Sequence, residues 1–134
     1  MNKNTLKSIW AVVAGVLTII IATTIVDIVL HVAGVYPPWD KPINDVQSLI
    51  ASSYQLVIGI AAGWLTAKLA PDRPMRHALM LGYVGTLLGL AGVFATWNAG
   101  LGPRWYPVSL VVLALPECWA GGKLYLMRSS ARPV

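Results

Sequence analysis

Four long apolar runs, each bounded by charged residues, proline or glycine, occupy nearly the whole of this 134-residue chain. The hydrocarbon core of a bilayer is about 30 Å thick, and an α-helix crosses it in about 20 residues. The sequence therefore predicts an all-α membrane protein with a single transmembrane domain over residues 1–134. Because the connections are short, we expect an antiparallel bundle of four transmembrane helices. The predicted spans cover about residues 6–35, 45–69, 75–97 and 105–127.

The composition excludes several other classes of protein. Charged residues make up 11% of the chain and apolar residues 57%, whereas soluble domains carry about 25% charged residues. The basic residues flank the apolar runs instead of forming a patch, so the net charge of +5 does not indicate a nucleic-acid binder. The single cysteine, Cys118, lies inside the fourth run, which excludes an intramolecular disulfide.

The distribution of Lys and Arg predicts the orientation of the chain, because positively charged flanks resist translocation. One side of the predicted helices carries only Lys41 and Arg104. The other side carries eight cations: Lys3, Lys7, Lys68, Arg73, Arg76, Lys123, Arg128 and Arg132. We therefore expect both termini in the cytoplasm, where the cationic face would attract anionic lipid.

Glycine stripes predict how the helices pack. In lipid, helix association depends on close backbone approach and on hydrogen bonds between helices. The second run carries Gly59 and Gly63 on one face, and the third carries a longer stripe of Gly82, Gly85, Gly89 and Gly92. We expect these two stripes to cross each other, either within one chain or between copies in a homo-oligomer.

Two helical faces place polar residues inside the membrane at matching depths. Asp27 and His31 lie one turn apart on the first run, and Ser52 and Gln55 share a face of the second. We expect these four to form a cluster in the outer half of the protein, with Tyr54 or Asn98 as a further member. Asp27 and His31 either form a structural pair that holds the first two helices together, or they form a proton- or cation-binding site. A metal site is disfavoured because one Asp and one His supply two of about four zinc ligands.

Glu117 is the second acid at membrane depth, and it follows Pro116 near the middle of the fourth run. Proline leaves the carbonyl of Val112 without its helical donor, so a bend is expected there. Counting residues separates Glu117 from Asp27 by about 10 Å along the membrane normal. Glu117 is therefore either a protonated structural acid or a member of a proton relay that needs water or a polar intermediate.

The outer loop before the fourth run is a candidate recognition surface for a lipid headgroup or an anionic partner. Its candidate residues are Trp97, Asn98, Arg104 and Trp105. An aromatic belt at the membrane interface explains the same residues equally well.

Several segments together resemble an uncharacterised family of small bacterial four-span integral membrane proteins. They are Asp27-x-x-x-His31, the turn at residues 34–39, the hairpin entry at residues 65–71, Ala95-Thr96-Trp97-Asn98 and Gly102-Pro103-x-Trp105-Tyr106-Pro107. The resemblance covers most of the chain. It implies a four-span fold in the bacterial cytoplasmic (inner) membrane and no particular activity.

The motifs do not favour an enzyme. The sequence has no nucleophile with a base at recognisable spacing, no phosphate-binding loop and no complete metal-ligand set. We therefore expect no cofactor and no metal. The first interpretation is a structural or accessory membrane subunit that packs through its glycine faces onto a membrane-protein partner or a second copy. The alternative is an oligomeric proton- or cation-coupled small transporter or channel that uses Asp27 and His31.

Overall fold

The computed structural model describes residues 2–131, with side chains as far as residue 129, so Arg132 lies outside it. All regular secondary structure in this part of the chain is helical. The four helices are α1 (Lys3–Val32), α2 (Asp45–Leu69), α3 (Pro74–Thr96) and α4 (Trp105–Ala131). Each is long and apolar enough to cross a membrane. The prediction of an all-helical chain with four membrane-length helices is confirmed.

Local sequence determines where the helices begin and end. The Asn2 side chain caps α1 by accepting a hydrogen bond from the Thr5 amide at 2.8 Å, so α1 begins earlier than predicted. It also ends earlier, at Val32, because Gly34 takes a left-handed conformation with φ of 82°. Asn44 and Gln47 cap the start of α2 reciprocally.

Hydrogen bonds and packing contacts show which helices lie side by side and how α1 and α2 are oriented. The Thr66 hydroxyl on α2 donates to the Ala11 carbonyl on α1 at 2.9 Å, and nearer the other end of both helices Thr23 contacts Gln55. As the residue numbers rise along α1, the numbers of the residues that it contacts on α2 fall, so these two helices run antiparallel. The α4 helix packs extensively on both α2 and α3, while α1 packs mainly on α2.

The glycine stripes face a different partner from the one predicted. Gly63 approaches the backbone of Cys118, where an added Cβ would lie 2.6 Å from the carbonyl oxygen. On α3, Gly82 and Gly89 likewise meet side chains of α4, namely Leu115 and Val111. Gly59 and Gly85 also face α4, whereas Gly92 has no neighbour within 4 Å of an added Cβ. The expected direct crossing of the two stripes is therefore wrong, because α4 lies against both.

The interior is built from small residues, and large apolar side chains point outward. The fully buried positions include Ala11, Ala62, Ala78, Thr66 and Leu81, whereas Phe94 is 81% exposed. This is the reverse of a water-soluble core, and it fits helices that approach closely inside while their outer faces contact lipid. At one end α1 meets α3, where the Ser8 hydroxyl lies 2.8 Å from the His77 ring.

Candidate functional site

Asp27 is held by a chain of two tyrosine hydroxyls. The Tyr54 hydroxyl on α2 donates to the Asp27 carboxylate on α1. The Tyr36 hydroxyl in turn donates to Tyr54 at 3.0 Å. Tyr36 is buried although it lies in the connection after α1, because the chain folds back there and its amide bonds to the Leu30 carbonyl. The acid therefore has a polar partner on a neighbouring helix and a hydrogen-bonded path towards the loop.

The His31 ring does not pair with the Asp27 carboxylate. Its Nδ1 lies 2.6 Å from the backbone carbonyl of Asp27, one turn earlier on α1. A carbonyl can only accept, so Nδ1 carries the proton in this contact. The ring stacks on Trp39 at a centroid distance of 3.5 Å and meets Tyr36 edge-on at 5.2 Å. His31 is therefore part of an aromatic cluster at the end of α1.

The other two members of the predicted polar cluster have separate partners. Gln55 accepts from Thr23 at 3.3 Å, and its side chain also reaches the Tyr106 hydroxyl on α4. Ser52 lies 3.4 Å from Ser109 of α4 instead. The structure therefore brings Asp27, His31 and Gln55 to one space and places Ser52 in a different contact.

That shared space is a cavity of about 590 Å³, which we call the interhelical cavity. Residues of all four helices line it, together with residues of the loops after α1 and before α4. Val16 on α1, Leu81 on α3 and Glu117 on α4 are the lining residues of their helices that lie furthest from those loops. Its volume is within the range of about 300–1,000 Å³ typical of small-molecule sites.

Glu117 faces the same cavity as Asp27. Its carboxyl group lies directly against Gly59 of α2, in the space that a Cβ on that residue would occupy. Tyr54, which contacts Asp27, lies five residues before Gly59, so the two acids meet α2 at levels about 7.5 Å apart. Pro116 lies inside α4, which continues through it. The bend expected there stays a prediction.

Aromatic side chains concentrate at the loop end of the cavity. Five rings line it there: Tyr36, Trp39, Tyr54, Trp97 and Tyr106. Its two cationic lining residues, Lys41 and Arg104, also belong to the loop end. The cavity therefore has an aromatic and cationic mouth, where Tyr54 contacts Asp27, and Glu117 lies further in.

The outer-loop candidates make contacts among themselves. The Arg104 guanidinium donates to the Trp97 carbonyl at 3.0 Å and to the Asn98 side chain at 3.4 Å, and it lies over the Trp97 ring. Trp105 donates from its indole to Asp45 at 2.9 Å and so joins α4 to the start of α2. These contacts order the loop that closes one side of the cavity.

Sequence reasoning did not assign Tyr36, Trp39, Tyr106 or Ser109 to the site. Tyr54 was predicted as a possible member, because it lies beside Gln55 in the sequence of α2. The others reach the site through the folded loop or from α4, which helical spacing within one run cannot reveal. Within residues 2–131 no group of three or more His, Cys, Asp or Glu side chains has an arrangement that could hold a metal ion.

Compared with known proteins, the chain matches no protein-family model, no curated protein and no solved structure. The geometry of the interhelical cavity is therefore the basis for a functional proposal.

Proposed function

We propose that this protein is a small proton- or cation-coupled transporter or channel of the bacterial inner membrane, with Asp27 as its ion-binding acid. The observation that carries the proposal is the interhelical cavity, which Asp27 and Glu117 both line between four apolar helices. Ionisable groups at membrane depth are costly, and they commonly face a cavity along an ion or proton pathway. Two acids lining the same cavity fit that pattern.

The hydroxyl chain supports Asp27 as the group that exchanges a proton or cation. A tyrosine hydroxyl can donate one hydrogen bond and accept another, so Tyr36 and Tyr54 can connect the loop to the carboxylate. His31 adds a second titratable side chain at the mouth, where its ring contacts Tyr36 and Trp39. Glu117 lies further in and gives a second carboxyl on the same route.

In this proposal the helices form an antiparallel transmembrane bundle with both termini in the cytoplasm. The mouth of the cavity, next to Lys41 and Arg104, then faces outward. The basic residues of the opposite end, including Lys68 and Arg73, face the cytoplasm and attract anionic lipid. An oligomer is compatible with this arrangement, since a second copy could cover the outer half of α3.

A second candidate function is that of an accessory subunit, and the surface of α3 favours it. The outer face of α3 carries large exposed side chains, namely Tyr83 at 61%, Leu87 at 67% and Phe94 at 81%, whereas Gly92 lines the interhelical cavity. This surface could receive a helix of another membrane protein. The other glycines of α2 and α3 are already close to α4, apart from Gly85, which makes only ordinary van der Waals contact. The surface left for docking is therefore smaller than the glycine pattern suggested.

Flux measurements in proteoliposomes test the transporter proposal. We would reconstitute the full chain with a pH gradient, add Na⁺, K⁺ or an organic ammonium ion outside, and follow the internal pH with a trapped dye. We expect at least one cation to accelerate the collapse of the gradient, and Asp27→Asn to abolish that acceleration. Asp72→Asn is the matched control, because Asp72 is exposed in the loop between α2 and α3.

Two outcomes would contradict the proposal. One is a wild-type protein that is folded but transports none of these ions, and the other is an Asp27→Asn variant with undiminished flux. Absence of flux together with a membrane protein that copurifies stoichiometrically would favour the accessory subunit. The oligomeric state is measured on the same sample, so that a loss of flux can be separated from a loss of assembly.

A further inference from the structure

We propose that the ligand of the interhelical cavity is an amphipathic organic cation, whose charge pairs with Asp27 among the aromatic rings at the mouth. This inference rests on the proposed function, because it names the class of substrate for the same cavity. Four observations support it. They are the acidic side chains on the helices, the aliphatic wall, the aromatic rings at the mouth, and the hydrogen bonds that Arg104 makes within its own loop.

The carboxyl groups of the cavity lining both lie on helices. They belong to Asp27 on α1 and Glu117 on α4, whereas Lys41 and Arg104 belong to the loops and His31 lies at the end of α1. A cation that enters between the helices would therefore meet two carboxyl groups, which can carry negative charge and no positive charge. In a medium of low dielectric constant the attraction between opposite charges is worth far more than in water.

Arg104, the arginine at the mouth, makes its hydrogen bonds within its own loop. Its guanidinium donates to the Trp97 carbonyl and the Asn98 side chain, and its Cζ lies 4.8 Å from the centroid of the Trp97 ring. Arg104 therefore serves to order its own loop, and its charge is partly satisfied there. Lys41 is exposed. Neither residue makes the inner cavity a site for an anion.

The wall of the cavity is unsuited to a bare metal cation. Na⁺, K⁺ and divalent ions need several oxygen ligands to replace their hydration shells. Aliphatic side chains form much of the wall, among them Val16, Ile19, Leu81, Leu88 and Leu110. A cation that carries its own apolar groups loses less hydration on entry and gains contact with this wall. The wall therefore favours an organic cation over an inorganic one.

The aromatic rings at the mouth give such a cation a further source of affinity. A positive charge over the face of Tyr or Trp is attracted by the ring quadrupole, most strongly where water is excluded. Tyr54 contacts Asp27 directly, and Tyr106 lies next to Gln55 across the cavity. A cavity lined by a carboxyl group and several aromatic rings offers both a counter-charge and ring faces to a quaternary ammonium or phosphonium group.

Binding of tetraphenylphosphonium to the detergent-solubilised full chain tests this inference. Tetraphenylborate has the same shape and the opposite charge, so it serves as the matched probe. We expect saturable binding of the phosphonium above the level of empty micelles, and no displacement of it by the borate. Asp27→Asn is expected to weaken binding at least tenfold, whereas the charge-matched control Asp72→Asn leaves it unchanged.

A second pair of variants keeps the test decisive if Asp27→Asn does not fold. Tyr106→Leu removes a ring from the cavity, and Tyr106→Phe keeps the ring without the hydroxyl. Ring attraction predicts about three- to tenfold weaker binding for the Leu variant and near wild-type binding for the Phe variant. Equal binding by all of these variants, equal binding of the borate, or no binding above empty micelles overturns the inference.

The outcomes also separate this inference from the proposed function. Phosphonium binding that needs Asp27, without any flux, contradicts the transporter and leaves the cation site intact. Proton-coupled flux of Na⁺ or K⁺ without phosphonium binding contradicts the cation site and leaves the transporter intact.

Discussion

The Tyr54 hydroxyl on α2 donates a hydrogen bond to the Asp27 carboxylate on α1, and both helices are long and apolar enough to cross a membrane. Water is scarce inside a bilayer, so a carboxyl group there without a protein donor would be strongly destabilising. Tyr54 in turn accepts from Tyr36, which belongs to the loop. One contact therefore gives the acid its donor, joins two helices and connects the site to the loop.

Replacing Tyr54 with Phe should lower the free energy of unfolding by about 1–2 kcal/mol, because the Asp27 carboxyl loses its donor from α2. Tyr36→Phe is the matched control, since it removes the hydroxyl that donates to Tyr54 but leaves the bond to Asp27 in place. We expect it to cost about 0.6 kcal/mol, the average for a side-chain hydrogen bond within a membrane protein. Reversible unfolding in mixed micelles measures both values. A larger loss for Tyr36→Phe than for Tyr54→Phe would contradict the assigned order.

Gly63→Ala should destabilise the contact between α2 and α4 by about 1–3 kcal/mol, as overpacked interiors do. The new methyl group would lie 2.6 Å from the Cys118 carbonyl oxygen and 2.8 Å from its Cα, and a helix backbone cannot move aside cheaply. Gly92→Ala is the control, because an added Cβ there has nothing within 4 Å. It should be neutral or slightly stabilising, since Ala forms helices better than Gly. Thermal unfolding of both variants in one detergent gives the comparison, and equal stabilities would contradict the close approach.

The fold was largely predictable because its main determinant is local. Whether a run of about 20 apolar residues can cross a bilayer depends on that run alone, so four membrane-length helices followed from the sequence. The partner of each glycine stripe was not predictable. Gly63 and Gly82 indicate close approach to some helix, but only the folded chain reveals that α4 is the common partner.

The candidate site was predictable in part, for the same reason. The spacing of Asp27 and His31 placed both side chains on one face of α1, and both line the interhelical cavity. The contacts within the predicted cluster differ from the prediction. His31 bonds to a backbone carbonyl, and Ser52 contacts Ser109 of α4. Helical periodicity gives the face of a residue but not its partner, and Tyr36 comes to the site only because the loop folds back on α1.

Thr66→Val should lower the free energy of unfolding by about 1 kcal/mol while keeping the shape of the side chain. The Thr66 hydroxyl is fully buried and donates to the Ala11 carbonyl at 2.9 Å, which joins α2 to α1. Valine removes this donor, although the carbonyl keeps its own helical bond, so the loss is that of a single interhelical contact. Thr66→Ser keeps the hydroxyl and should recover part of the loss. A Ser variant less stable than the Val variant would mean that packing outweighs the hydrogen bond at this position.

Stability should fall at high pH through Tyr36, which lies in the loop outside the membrane-spanning helices. Burial raises the pKa of its hydroxyl above the usual value of 10.0; the hydrogen bond with Tyr54 opposes the shift, and the negative charge of Asp27 adds to it. A pKa raised in the folded state means that the unfolded chain loses this proton first as the pH rises. The stabilisation is therefore complete below about pH 10 and is lost as the pH rises through the folded-state pKa. Tyr36→Phe should flatten the decline measured between about pH 9 and 11, whereas Tyr83→Phe, at a residue 61% exposed on α3, should not. An unchanged decline in the Tyr36 variant would show that other groups cause it.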